Sequence, residues 1–125
     1  MNILIANASH YQSGGDWTYV DTITKIYNNK GHKVVHFAKK DERNFKSEYE
    51  EFFVEKIDYK LVNNNKSPSN IIKVLSRSIY SLEAQEKLDK LLSKHRVDIA
   101  QLNNINNAQT PSIIKTLKDR KIPIV

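Results

Sequence analysis

The fold is decided by residues 1–38, which read MNILIANASHYQSGGDWTYVDTITKIYNNKGHKVVHFA. Residues 2–6 are short, apolar and β-branched, so they predict a buried strand. Residues 16–30 carry apolar side chains three and four apart, which predicts a helix, and Gly31 predicts its end. Residues 34–38 predict a second strand. Together they form a βαβ unit, in which the two strands lie parallel.

The rest of the chain continues the alternation of strands and helices. Ser67-Pro68 and Thr110-Pro111 each combine a capping residue with proline at the first helical position, so a helix is expected after each. Ser81 is interpreted as the cap of another helix, and whether that helix runs separately from the preceding one stays open. Residues 97–102 predict a strand, and residues 122–125 begin a further one. The predicted fold class is α/β, with a Rossmann-like, doubly wound parallel sheet.

Composition bounds the class of protein. The length of 125 residues suits one domain, and the absence of cysteine excludes a disulfide framework or a thiolate metal site. The net charge of +6 suits an anionic partner. Because the basic residues are dispersed and no nucleic-acid-binding motif accompanies them, no nucleic acid is expected as a partner. Scattered lysines are compatible with peripheral contact at the inner face of a membrane, and without a signal-peptide pattern a cytoplasmic location is expected.

The loop after the first strand is the first candidate binding site. Parallel sheets of this kind bind ligands at the carboxyl ends of their strands, and this loop holds His10, Gly14, Gly15 and Asp16. Glycine allows a ligand to approach the backbone closely, and the free N–H groups at a helix start favour an anion. A tight turn without a ligand is the alternative interpretation.

The loop after residues 97–102 is the second candidate binding site. It reads Asn103-Asn104-Ile105-Asn106-Asn107, and Gln101 lies two residues before it. Carboxamides both donate and accept hydrogen bonds, so they suit the hydroxyl groups of a sugar. A plain polar loop in an asparagine-rich chain is the alternative.

The sequence lacks the residues that several other kinds of binding or catalytic site require. The glycine loop is not a Walker A motif, and it lacks the third glycine of a dinucleotide fingerprint. Of the four histidines (His10, His32, His36 and His95), only His32 and His36 are four residues apart, and they fall after a predicted helix end and within a predicted strand, so no metal is expected. No nucleophile, base and orienting group can be assembled, which leaves the catalytic residues unknown. A loop rich in Ser and Gly could hold a flavin phosphate, so a flavodoxin-like FMN-binding redox domain stays open as an alternative.

Two motifs resemble a known family. Gly14-Gly15-Asp16 followed by Val20, and then Lys30-Gly31-His32-Lys33-Val34, resemble the N-terminal domain of a glycosyltransferase family 4 (group 1) enzyme of two-domain GT-B architecture. Residues 81–92, 97–105 and 110–114 resemble later parts of that domain, so the likeness covers most of residues 1–125. The chain departs from the family's His-x-His-Asn pattern, since residues 101–104 read Gln-Leu-Asn-Asn and only the last residue matches.

The resemblance implies a retaining transfer of a sugar from a nucleotide-sugar donor to a saccharide or lipid-linked acceptor, in the synthesis of cell-surface polysaccharide. It implies that the donor diphosphate lies near one group of residues, Gly14, Gly15 and Asp16. It implies that the acceptor lies near another group: His10, Gln101, Asn103, Asn104 and Asn106. It implies no cofactor beyond the nucleotide-sugar.

The resemblance also implies a C-terminal donor-binding domain beyond residue 125. We therefore expect these residues to be the N-terminal part of a longer enzyme and to catalyse no transfer alone. A non-catalytic α/β module that acts through protein contacts is the remaining alternative.

Overall fold

The structure, a computed structural model, describes residues 1–55, 69–105 and 110–125. Three strands, β1 (Asn2–Ala6), β2 (Lys33–Phe37) and β3 (Ile99–Leu102), form a parallel sheet in the order β2-β1-β3. The helices are α1 (Gly15–Asn29), α2 (Ser69–Lys94) and α3 (Thr110–Asp119). The predicted α/β class with a parallel sheet is confirmed, and the architecture is compatible with a Rossmann-like fold.

The strand order reverses at β1, which lies between β2 and β3. Two parallel bridges extend the sheet at its edges, Lys39 with Val54 beyond β2 and Ala100 with Ile124 beyond β3. A 3-10 turn, Glu50–Phe52, leads the chain into the first of these bridges. In open parallel sheets a reversal of this kind opens a crevice at the carboxyl ends of the strands. The fold therefore brings the loops after β1 and β3 to one place.

Helices cover both faces of the sheet. On one face, the buried residues Ile3, Ile5 and Val34 pack with Trp17 and Val20 of α1. On the other face a larger core joins the sheet to α2 and α3: Leu4, Val35, Ala100, Leu88, Leu91, Ile113 and Leu117. Because successive side chains of a strand point to opposite faces, each strand contributes to both cores.

The expectation that Ser81 caps another helix is wrong. Residues 69–94 form one continuous helix, and Ser81 lies in its interior. Serine costs only several tenths of a kcal/mol in a helix interior, roughly 0.5 kcal/mol relative to alanine. Ala84, Leu88 and Leu91 are fully buried, so packing of this stripe readily offsets that cost. The predicted cap at Ser67-Pro68 lies outside the described residues.

Most other boundaries agree with the sequence to within one or two residues. Helix α1 begins at Gly15 and ends before Gly31, whose φ of 84° confirms its predicted role at the helix end. Strand β3 begins two residues later than predicted, at Ile99. Helix α3 begins at Thr110, and its predicted core residues Ile113 and Leu117 are fully buried.

The outer faces of the helices are charged. Ion pairs one turn apart join Lys25 to Asp21 at 2.6 Å on α1 and Lys115 to Asp119 at 2.8 Å on α3. Exposed pairs of this kind contribute about 0.3–0.5 kcal/mol each. Within residues 1–55, 69–105 and 110–125, no helix is both long and apolar enough to cross a membrane.

Candidate functional site

The two loops predicted to bind a ligand lie side by side. Ala6 and Leu102, the last residues of β1 and β3, are partners in the parallel register. Just beyond them, the Asn103 N–H donates to the Ala6 carbonyl at 3.0 Å, and the Ala8 N–H donates to the Asn104 carbonyl at 2.7 Å. The sheet register therefore continues into the loops and holds them against each other.

The carboxylate of Asp16 connects the first turn of α1 to the loop after β3. It accepts hydrogen bonds from the Ser13 hydroxyl at 2.9 Å and from the Asn104 carboxamide nitrogen at 3.4 Å. The backbone N–H of Trp17 also donates to it. The structure thus brings together Asp16 and Asn104, which belong to the two different candidate loops.

Asp16 places a negative charge at the start of α1. Burial alone would raise the pKa of this carboxyl group, but four hydrogen-bond donors oppose that effect: Ser13, the Trp17 backbone, Asn104 and Asn7. The pKa of Asp16 is held below its usual range as a result, because these donors stabilise the ionised form. The helix start favours the same ionised form.

Gly14 and Gly15 leave the backbone open beside this carboxylate. Gly14 has φ 127° and ψ −151°, and its carbonyl accepts the first helical bond from the Thr18 N–H at 3.2 Å. A Cβ atom added to either glycine would meet no heavy atom within 4 Å. A ligand can therefore approach the backbone at both positions.

The two glycines are expected to respond differently to alanine. Gly14 occupies a backbone region that is almost exclusive to glycine, so Gly14→Ala should lower the free energy of unfolding by about 1–3 kcal/mol. Gly15 is the first residue of α1 and has ordinary dihedral angles, so Gly15→Ala should leave stability unchanged or raise it by up to about 1 kcal/mol. Urea unfolding of both variants measures the difference. Equal effects would contradict the strained role of Gly14.

The side chain of Gln101 is held against α1. Its oxygen accepts from the Tyr27 hydroxyl at 2.9 Å, and its nitrogen donates to the Tyr19 hydroxyl at 3.1 Å and to the Asn103 carboxamide oxygen at 3.2 Å. The Asn103 carboxamide nitrogen is buried and has no hydrogen-bond partner in the described part of the chain. This donor is closed to solvent in the described structure. Asn106 lies outside the described residues.

The ring of His10 lies in an aromatic cluster. His10 is 5% exposed, and its ring centroid is 4.9 Å from that of His36, 5.0 Å from that of Trp17 and 5.5 Å from that of Phe53. Burial lowers its pKa, so the imidazole is neutral at neutral pH. His10 also lines an open cleft of about 600 Å³, and Phe45 is another of the residues that line it. The structure thus places His10 with aromatic rings and not among the hydrogen bonds of Asp16 and Asn104.

Sequence reasoning missed Asn7 and the two tyrosines. Asn7 is only 4% exposed, and its side chain bonds both loops. A signal for it existed, because Asn7 is the first residue after β1, just as Asn103 is the first after β3. Tyr27 gave no such signal, since its place in the apolar stripe of α1 predicts only packing.

Among the residues that the structure describes, no group of three or more His, Cys, Asp or Glu side chains could hold a metal ion. No protein-family model matches the chain, and no curated protein matches it in sequence. Function is therefore inferred from the site and from the sequence motifs.

Proposed function

We propose that this protein is the N-terminal, acceptor-side domain of a retaining glycosyltransferase of GT-B architecture. The enzyme would transfer a sugar from a nucleotide-sugar to a saccharide or lipid-linked acceptor at the cytoplasmic side of a membrane, in cell-surface polysaccharide synthesis. The observation that carries this proposal is the junction of the two loops, where the open Gly14-Gly15 backbone lies beside Asp16 and Asn104. The sequence motifs that resemble glycosyltransferase family 4 cover the same loops.

The chemistry of the junction suits sugar transfer. Backbone N–H groups of Gly14 and Gly15, unobstructed by a Cβ atom, can donate to a departing diphosphate and stabilise the charge that develops on it. The ionised carboxylate of Asp16 would repel phosphate but accepts hydrogen bonds from hydroxyl groups, so we assign it to a hydroxyl of the transferred sugar. The exposed carboxamide of Asn104 can both donate to and accept from hydroxyls of the acceptor.

The native protein tests the proposal directly. An antibody against residues 1–125 should capture from the source cells a species of at least twice 14.5 kDa. That species should transfer radiolabelled sugar from a UDP- or GDP-sugar to lipid extracted from the same cells, whereas purified residues 1–125 should transfer none. A native species of about 14.5 kDa without transferase activity would contradict the proposal. Yellow colour and retained FMN in that species would instead favour the flavodoxin-like alternative.

Asp16→Asn in the full-length enzyme should lower kcat/KM for the nucleotide-sugar by about 10- to 100-fold, the loss expected when a hydrogen bond to a charged group is weakened. Asp21→Asn is the matched control, because Asp21 lies on the same helix and pairs with Lys25 at the surface. That control should keep the wild-type kcat/KM. Equal values of kcat/KM for the two variants would show that Asp16 does not contact the substrate.

A further inference from the structure

We infer that Asn7 is the positioning residue of the site: its buried carboxamide ties the end of β1 to both loops and so sets where Asp16 and Asn104 lie. The inference rests on the proposed function insofar as it treats these loops as a binding site. The arrangement of the loops can nevertheless be tested without any substrate.

Asn7 lies at the middle of the carboxyl edge of the sheet. It directly follows β1, the central strand, and its backbone N–H donates to the Phe37 carbonyl of β2 at 3.0 Å. Its side chain turns toward β3, where its oxygen accepts from the Asn104 N–H at 3.2 Å. With 4% of its surface exposed, Asn7 spans the point where the strand order reverses and is itself almost closed to solvent.

The carboxamide of Asn7 uses both kinds of hydrogen-bonding group. Its nitrogen donates to the Ser9 carbonyl at 2.7 Å, within the loop that leads to α1. Its oxygen accepts from Asn104, and the side chain helps to lower the pKa of the Asp16 carboxyl group. Only a carboxamide offers two donors and an acceptor on one short side chain. Aspartate, serine or leucine at this position would leave at least one of these groups without its partner on residue 7.

Asn7, and not the direct contact between Asn104 and Asp16, controls the distance between the two loops. The direct hydrogen bond between Asn104 and Asp16 is 3.4 Å long, near the limit for such a bond. The bond from Asn7 to Ser9 is much shorter, and the bond from Asn104 to Asn7 lies within the usual range. Because a buried, fully bonded side chain has few other arrangements, Asn7 holds the two loops at one separation.

The test compares Asn7→Ala and Asn7→Asp with a matched control, Asn2→Ala. Asn2 lies at the opposite end of β1, where its carboxamide donates to the Arg96 carbonyl at 2.8 Å, so its loss also removes a hydrogen bond between distant segments. NMR of the 125-residue protein gives the pKa of the Asp16 carboxyl group and the hydrogen-exchange rate of the Asn104 N–H.

In Asn7→Ala, we expect the pKa of Asp16 to rise toward its ordinary value of 3.8 and the Asn104 N–H to exchange roughly tenfold faster, because both lose a partner. In Asn7→Asp, the Asn104 N–H keeps an acceptor and its exchange rate. There, the apparent pKa of Asp16 should rise above 3.8, because the two carboxylates repel each other. Asn2→Ala should change neither quantity.

A folded Asn7→Ala or Asn7→Asp protein in which Asp16 titrates as in the wild type would overturn the inference. So would failure of both Asn7 variants to fold while Asn2→Ala folds, since Asn7 would then serve the fold as a whole. Neither result depends on sugar transfer. A wild-type enzyme without transferase activity would refute the proposed function and leave the positioning of Asp16 by Asn7 intact.

Discussion

Phe53→Ala is expected to lower the free energy of unfolding by about 3–5 kcal/mol, the usual cost of removing a buried aromatic ring. Phe53 is fully buried in the larger core, and its ring lies 5.5 Å from that of His10. Phe53 directly precedes Val54, whose bridge with Lys39 extends the sheet, so the cavity left by its ring would lie at the sheet edge. Since domains of this size are stable by about 5–15 kcal/mol, this single change removes a large share of the stability.

Phe45→Ala is the matched control for Phe53→Ala. The chemical change is the same and the segment is the same, but Phe45 is 53% exposed and packs mainly on Trp17. We expect it to cost about 1 kcal/mol or less. Urea unfolding at neutral pH measures both values. Equal losses in the free energy of unfolding would contradict the prediction that the buried ring of Phe53 stabilises the core.

Acidification is expected to remove up to about 3 kcal/mol of stability through His36. Burial, and next the electrostatic effect of the neighbouring His10, lower the pKa of His36 from 6.5 to about 4 in the folded protein. Between these two values the unfolded chain binds a proton that the folded protein does not. The free energy of unfolding therefore falls as the pH drops through this window, and the contribution is fully retained above pH 6.5.

Urea unfolding at about pH 7 and pH 4.5 tests this dependence. Other groups also titrate in this range, so the informative quantity is the difference between variants. His36→Gln should lose much less stability on acidification than the wild type, because the titrating group is gone. His32→Gln, which replaces a histidine near the surface beside the N-terminal amine, should behave like the wild type. An unchanged acid loss in His36→Gln would contradict the prediction.

Much of the fold could be predicted because short stretches of sequence determine its strands and helices. The apolar run of β1 and the spacing of three and four in α1 are each contained in a few neighbouring residues, and the structure places both elements within one residue of the prediction. Helix α2 shows the limit of such patterns. A serine such as Ser81 can cap a helix or lie within one, and the local sequence does not distinguish the two. The packing of Ala84, Leu88 and Leu91 against the sheet decides that the helix continues through Ser81.

The sequence by itself determined the α/β class, the parallel strands and the two loops at their carboxyl ends. It did so because hydrophobic periodicity and glycine placement act over short distances along the chain. Only the tertiary structure decided the partners within the site. The bond from Asn104 to Asn7 joins residues 97 apart, and the bond from Tyr27 to Gln101 joins residues 74 apart. A buried polar side chain requires a partner but does not encode which one, and the sheet order supplies that choice by bringing β1 and β3 together.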